Sequence, residues 1–128
     1  MKTPDILLFM KNKRILLVED DIIAQRIEKD VLENLGFSVD IVADGQHALE
    51  LAQQHQYHSI FIDISLPDMD GFTLAETLRQ ELKPLPTLIA LSVHADELHR
   101  QCARDSGMTE FVRKPLTLDI CQKLLETV

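Results

Sequence analysis

The sequence predicts an α/β fold: a single doubly wound sheet of five parallel strands with helices on both faces. Short apolar, β-branched runs alternate along the chain with longer segments of helical periodicity. Each connection between successive runs is long enough for the crossover that parallel strands require. The 128 residues suffice for one domain with a real core and are too few for two domains of ordinary size.

Five short runs predict the strands. The first, residues 14–18, has the nearly continuous hydrophobicity of a strand that is buried on both faces. The third is equally apolar and ends at an aspartate, Asp63. The five predicted strands are 14–18, 37–43, 59–62, 87–91 and 110–113.

Apolar residues at helical spacing predict a helix after each strand. In the first helix they recur every four residues, and Gly36 follows as a C-terminal stop. The Pro84 and Pro86 pair stops the third helix. The five predicted stripes are Ile23, Ile27, Val31 and Leu35; Ala48, Leu51 and Ala52; Leu74, Leu78 and Leu82; Leu98 and Cys102; and Leu118, Cys121 and Leu125.

Composition argues against a direct nucleic-acid or membrane partner. The 21 acidic and 13 basic residues give a formal net charge of −8, and no basic run offsets it. The early apolar stretch, residues 6–10, is too short to span a membrane. Cys102 and Cys121 lack metal-ligand spacing and are expected to be core thiols, which suits a reducing cytoplasm.

The first 11 residues are expected to lie outside the domain, which we assign to residues 12–128. They are either a loose tail or linker remnant, or an extra element that docks apolar side chains. The sequence leaves both alternatives open.

Polar side chains with a shared chemistry lie where the predicted strands end. In open parallel sheets, ligands bind at the carboxyl ends of strands. Carboxylates a few ångströms apart repel one another unless a cation intervenes, and a set of oxygen ligands suits Mg²⁺. The acids therefore predict a hard divalent metal. The residues at this edge are Glu19, Asp20, Asp21, Asp63, Ser92 and Lys114.

Four segments at these strand ends resemble two-component receiver domains, and the match runs in order from about residue 12 to the C-terminus. The resemblance implies a flavodoxin-like strand order, 2-1-3-4-5. It also implies a signalling module that catalyses its own phosphorylation and dephosphorylation rather than an enzyme acting on other substrates. The segments are 18–21 (VEDD), 63–71 (DISLPDMDG), 90–92 (ALS) and 111–115 (FVRKP).

The resemblance assigns Asp63 as the carboxylate that is phosphorylated. Glu19 and Asp20 are then the acid pair that holds Mg²⁺ directly or through water, with Asp20 the better candidate for a direct ligand. Asp63 itself and the backbone carbonyl of Ser65 complete the implied metal site.

The resemblance also implies how the phosphoryl group is held and sensed. Ser92 would donate its hydroxyl to a phosphoryl oxygen, and Lys114 would pair first with Asp63 and later with the phosphoryl group. The resemblance also implies a cis peptide bond between Lys114 and Pro115. Phe111 occupies the rotating aromatic position, so Ser92 and Phe111 form the implied switch that reshapes the face of the fourth helix, fifth strand and fifth helix.

The implied phosphodonor is a histidine kinase or a histidine phosphotransfer domain, and phosphorylation is expected to favour a dimer. Residues 90–95 and 107–111 look more like receivers fused to hybrid sensor kinases than like those of transcription factors. We therefore expect a domain excised from a hybrid kinase, with a freestanding single-domain response regulator as the alternative.

Other interpretations of the acidic residues have less support. Asp21 is expected to cap the first helix, while Asp68 and Asp70 are most simply turn formers or helix caps. A Mg²⁺-dependent aspartyl-phosphate phosphatase would need a second aspartate two residues after Asp63, where this chain has Ser65. A flavin carrier would need a hydroxyl- and glycine-rich loop where this chain has three acids.

Overall fold

A five-stranded parallel sheet forms the centre of the fold, and its strands, numbered in chain order, are arranged 2-1-3-4-5. The computed structural model describes residues 13–126. The predicted fold class and strand order are confirmed. The strands are β1 (Arg14–Val18), β2 (Ser38–Val42), β3 (Ser59–Asp63), β4 (Thr87–Ser92) and β5 (Glu110–Arg113). The helices are α1 (Ile22–Asn34), α2 (Gly45–Gln54), α3 (Gly71–Glu81), α4 (Glu97–Asp105) and α5 (Leu118–Glu126).

Two apolar clusters sandwich the sheet, because successive side chains of a strand point to opposite faces. On one face, Leu16 and Ile60 pack with buried residues of α2, α3 and α4. On the other face, Leu17 and Phe61 pack with Leu32 of α1 and with α5. Both faces of the sheet are therefore covered, as parallel strands require.

The buried face of α1 differs from the predicted one. Ile23 is 71 % exposed and Ile27 is 48 % exposed, whereas Glu28 and Leu32 are buried. A four-residue repeat advances 400° around a helix of 3.6 residues per turn, so each step drifts by about 40°. Val31 of the predicted stripe therefore packs against the core, whereas the N-terminal end of the stripe faces solvent.

Two other residues assigned to the core by sequence pattern, Leu98 of α4 and Leu118 of α5, are also exposed. The two cysteines differ in burial. Cys121 is buried as predicted, and Cys102 is only partly buried. Both thiols are free.

Aspartates fix where four of the helices begin. The side chains of Asp21, Asp44, Asp70 and Asp96 each accept a backbone N–H from the first turn of the helix that follows. The capping roles predicted for Asp21 and Asp70 are confirmed. Asp68 caps a different helix, since its two carboxylate oxygens accept the N–H groups of Gly45 and Gln46.

No helix within residues 13–126 is long and apolar enough to cross a membrane. The two alternatives for the first 11 residues lie outside the described residues.

Gly71 begins α3 at a close approach to the end of β3. Its N–H donates to the Ile64 carbonyl at 2.9 Å. A Cβ atom built on Gly71 would lie 2.6 Å from Ile64 Cα and 2.8 Å from the Asp63 carbonyl oxygen. A side chain cannot fit there without movement of the backbone that carries Asp63.

Replacing Gly71 with alanine should therefore lower the free energy of unfolding by about 2–3 kcal/mol, because backbone atoms must move. Gly45→Ala is the matched control, since Gly45 is also the first helical residue after an aspartate cap. Its added Cβ would meet the Met69 side chain, which can rotate away. Urea unfolding compares the two variants, and equal losses would contradict this account.

Candidate functional site

The sheet register brings the predicted polar residues to one edge. Val18 pairs with Ile62, so Glu19 and Asp63 follow on neighbouring strands at the same level. On the other side of β3, Asp63 pairs with Leu91, which places Ser92 one residue further along β4. Because Ser92 pairs with Arg113, the next residue, Lys114, lies at the same edge.

Lys114 joins the two buried carboxylates. Its ammonium donates to Glu19 Oε1 at 2.5 Å and to Asp63 Oδ2 at 2.9 Å. Glu19 is fully buried and Asp63 is 6 % exposed. Within residues 13–126, Lys114 is the one basic side chain that forms an ion pair with either acid. The predicted pairing of Lys114 with Asp63 is present, and the Lys114–Pro115 peptide bond is cis as the resemblance implied.

The site also contains a cluster of acids with the geometry of a metal site. Glu19, Asp20 and Asp63 each offer a carboxylate oxygen, and these three oxygens lie within 4.8 Å of one another. Asp20 is exposed, so the cluster opens to solvent on one side. An all-oxygen donor set with room for water fits Mg²⁺ or a similar hard cation.

Ser65 lies beside this cluster and orients the Asp63 carboxylate. Its backbone N–H donates to Asp63 Oδ1 at 2.9 Å, while Lys114 holds Oδ2. Both oxygens of Asp63 thus have a hydrogen-bond donor. The role of the Ser65 carbonyl as a metal ligand stays a prediction.

Ser92 is buried at the end of β4, and its hydroxyl oxygen accepts the His94 N–H at 2.9 Å. Its carbonyl accepts the Lys114 N–H at 2.8 Å, which ties β4 to the end of β5. The hydroxyl is held by its own loop in this arrangement. This contact uses the Ser92 oxygen as an acceptor, so the hydroxyl hydrogen remains available to donate.

The pKa values of Glu19 and Lys114 are both raised above their ordinary values, for different reasons. Burial and the neighbouring Asp63 raise the pKa of Glu19 above its ordinary value, although the hydrogen bond from Lys114 opposes the shift. For Lys114, burial alone would lower the pKa. The hydrogen bonds to Glu19 and Asp63 outweigh it and raise the pKa. Lys114 is therefore a permanent cation at neutral pH.

Glu28 is a further acid near this site, and the sequence pattern missed it. It lies on the buried face of α1 at 2 % exposure, and its Oε1 has no hydrogen-bond partner among residues 13–126. Burial, followed by the proximity of Glu19, raises the pKa of Glu28 to about 8. The signal available in the sequence was its position four residues before Leu32 on the same helical face.

Phe111 and Arg100 lie on the far side of Ser92 from the acids. Phe111 is partly buried against the cluster that contains Ile62 and Ala90. The Arg100 guanidinium carbon lies 4.9 Å from the centroid of the Phe111 ring. The predicted switch residue therefore lies between the apolar core and a charged side chain of α4.

Comparison with known proteins identifies the family of this chain. A family model for the response regulator receiver domain matches residues 15–126. The chain belongs to this family. Receiver domains are the signalling modules of two-component systems, and the recognition of the family from its strand-end segments is confirmed.

Curated relatives include receivers in both kinases and transcription regulators. The sensor histidine kinase RcsC of Escherichia coli is 32 % identical over 111 residues, which are 87 % of this receiver and 12 % of RcsC. The transcriptional regulatory protein SrrA of Staphylococcus aureus is 34 % identical over 106 residues, which are 83 % of this receiver and 43 % of SrrA. The chain thus spans less than half the length of these relatives.

Solved receiver structures superpose closely on this fold. The receiver domain of sensor histidine kinase PA1611 from Pseudomonas aeruginosa matches with a TM-score of 0.82 and 32 % identity, covering 90 % of this chain and 95 % of that chain. That structure has a magnesium ion coordinated in its active-site cleft. Chemotaxis response regulator CheY4 of Vibrio cholerae has a TM-score of 0.82 at 25 % identity, covering 89 % of this chain and 96 % of that chain.

The buried Glu28 predicts a pH-dependent loss of stability. An ordinary glutamate in the unfolded chain ionises near pH 4.5, whereas Glu28 in the fold holds its proton to about pH 8. As pH rises between these values, the unfolded state loses this proton first and its free energy falls relative to the fold, so the fold loses stability until about pH 8. Glu28→Gln removes this carboxyl and should remove the loss.

In Mg²⁺-free buffer, the unfolding free energies of Glu28→Gln and wild type should differ by no more than about 1 kcal/mol at pH 5. The variant should gain on the order of 2–4 kcal/mol over wild type by pH 8.5. Urea titrations across this range measure the difference, and Glu33→Gln, an exposed change on the same helix, is the control. A difference that does not change with pH would contradict the account.

Proposed function

We propose that this receiver accepts a phosphoryl group on Asp63 and signals through the face formed by α4, β5 and α5. The observation that carries the proposal is the bridge from Lys114 to Asp63 beside the three-acid cluster. It supplies a carboxylate nucleophile, a cation for the transferred group and a set of metal ligands at one sheet edge.

Bond formation would occur between a carboxylate oxygen of Asp63 and the phosphorus of the donor, as the bond from phosphorus to the donor nitrogen breaks. The carboxylate needs no separate base, and phosphoryl transfer depends mainly on positioning and charge stabilisation. Ser65 holds one oxygen of Asp63 by its N–H, which fixes the orientation of the carboxylate.

Lys114 and Ser92 would stabilise the transferred group. Lys114 would shift from Asp63 Oδ2 to a phosphoryl oxygen while it keeps its hydrogen bond to Glu19. Ser92 would donate its hydroxyl hydrogen to another oxygen, because its contact with the His94 amide uses only a lone pair of Oγ. Both changes place donors where negative charge develops.

The metal in this proposal is Mg²⁺, held by Glu19, Asp20, Asp63 and the Ser65 carbonyl. When bound, it would supply positive charge to the phosphoryl oxygens and relieve repulsion among the acids. Asp20, which is exposed and makes no ion pair among the described residues, is the best placed of the three to act as a direct ligand.

Phosphorylation adds about −1.5 to −2 charge beside Ser92. We infer that the inward movement of Ser92 lets Phe111 follow, which changes the α4-β5-α5 face for a partner. Coupling of this kind is typically worth about 1–3 kcal/mol, which is a shift between two populations. A dimer that forms on phosphorylation would use the same face.

The proposed donor is a phosphohistidine of a histidine kinase or of a histidine phosphotransfer domain, in the cytoplasm. We infer that the receiver comes from a hybrid sensor kinase, which its likeness to RcsC and to the PA1611 receiver supports. A freestanding response regulator is the alternative. The parent open reading frame distinguishes them, since a kinase core in the same frame is expected.

Incubation with phosphoramidate and Mg²⁺, followed by intact mass spectrometry, tests the acceptor. Wild type should gain one phosphoryl group, and Asp63→Asn should gain none because the nucleophile is lost. Asp68→Asn is the control, since Asp68 lies in the same loop but caps α2. A wild-type chain that gains no mass, or an Asp63→Asn chain that gains as much as wild type, would overturn the proposal.

A further inference from the structure

Arg100 makes two contacts that the site chemistry does not explain. Its Nε donates to the carbonyl oxygen of Ala95 at 3.1 Å, and its guanidinium carbon lies 4.9 Å from the centroid of the Phe111 ring. Ala95 belongs to the connection between β4 and α4, and Phe111 belongs to β5. One side chain of α4 therefore holds both the Phe111 ring and the connection that follows Ser92.

The connection held by Arg100 is tied to Ser92. The His94 N–H donates to Ser92 Oγ, and the His94 ring stacks on His99 with centroids 5.2 Å apart and planes 20° apart. The Asp96 carboxylate lies 2.8 Å from His99 Nδ1 and holds that ring. A movement of Ser92 Oγ towards Asp63 would either lengthen this hydrogen bond or draw the His94 amide with it, so the connection responds to the position of Ser92.

Phe111 offers only its ring to a polar neighbour, because phenylalanine has no hydroxyl group. A guanidinium over an aromatic face is attracted by the negative potential of the ring, and the attraction strengthens as water is excluded. Arg100 and Phe111 are both partly buried. The contact therefore favours the position of Phe111 seen here.

We propose that Arg100 is a positioning residue that stabilises the unphosphorylated arrangement of the switch. It does so by holding Phe111 through its ring and the β4–α4 connection through the Ala95 carbonyl. This inference rests on the proposed function, because it takes the movement of Ser92 towards Asp63 as the event that Arg100 opposes. Loss of Arg100 should shift the population towards the phosphorylated arrangement.

Binding of beryllofluoride, a phosphoryl mimic, to the full chain at saturating Mg²⁺ tests the proposal. Arg100→Met keeps the length of the side chain and removes its charge. It should tighten the apparent Kd by roughly two- to fivefold, since an interaction made only in the unliganded arrangement is lost. Arg100→Lys retains a cation near the ring and should restore most of the wild-type Kd.

Arg104→Met is the matched control. It removes the same charge from the same helix, but Arg104 contacts Glu97 and Gln101 rather than Phe111. Its Kd should equal that of wild type. The Kd values are read by fluorine NMR, and thermal unfolding of each variant confirms that the compared chains are folded.

A double-mutant cycle with Phe111→Leu isolates the pair. The tightening caused by Arg100→Met should fall to about half or less when the ring is absent, because only the Ala95 contact remains to be lost. Equal Kd values for Arg100→Met, Arg104→Met and wild type would overturn the inference, as would an undiminished effect in Phe111→Leu. If wild type fails to bind beryllofluoride, the proposed function itself fails and this inference falls with it.

Discussion

The ion bridge from Lys114 to Glu19 and Asp63 is the interaction on which the rest of the site depends. Two carboxylates on adjacent strands would repel one another strongly in this buried position, and the ammonium from β5 compensates both. The bridge requires β1, β3 and the end of β5 to finish at one level, and the parallel register provides it. The structure therefore links Asp63 to the edge strand that contains Phe111.

That link explains how a change at Asp63 can reach the surface. Ser92 lies between the acids and the β4–α4 connection, and its hydroxyl is held by the His94 amide. The connection is in turn held by Arg100, which also contacts Phe111. In the proposed function, a new charge at Asp63 shifts the balance between two packings of the same fold through these contacts.

The sequence predicted the sheet well because strands buried on both faces leave continuous apolar runs, and it predicted the acids because they follow those runs directly. It could not predict which face of α1 is buried. The pattern predicted that the helix face bearing Ile23 and Ile27 is buried, whereas the face that is buried includes the carboxyl of Glu28. A charge in a core position breaks the pattern on which such predictions rest. The contact of Arg100 with Phe111 is likewise tertiary and leaves no local signal.

We propose that Glu19, Asp20 and Asp63 form one Mg²⁺ site around the proposed phospho-acceptor. The most direct measurement is the melting temperature with and without Mg²⁺. At ten times its Kd, Mg²⁺ should stabilise wild type by about 1.4 kcal/mol, a rise of several degrees. Asp20→Asn should lose most of this rise, and Asp30→Asn, an exposed change on α1, should keep it. The account would be contradicted by a wild-type melting temperature that does not change with Mg²⁺, or by a rise in Asp20→Asn equal to that of wild type.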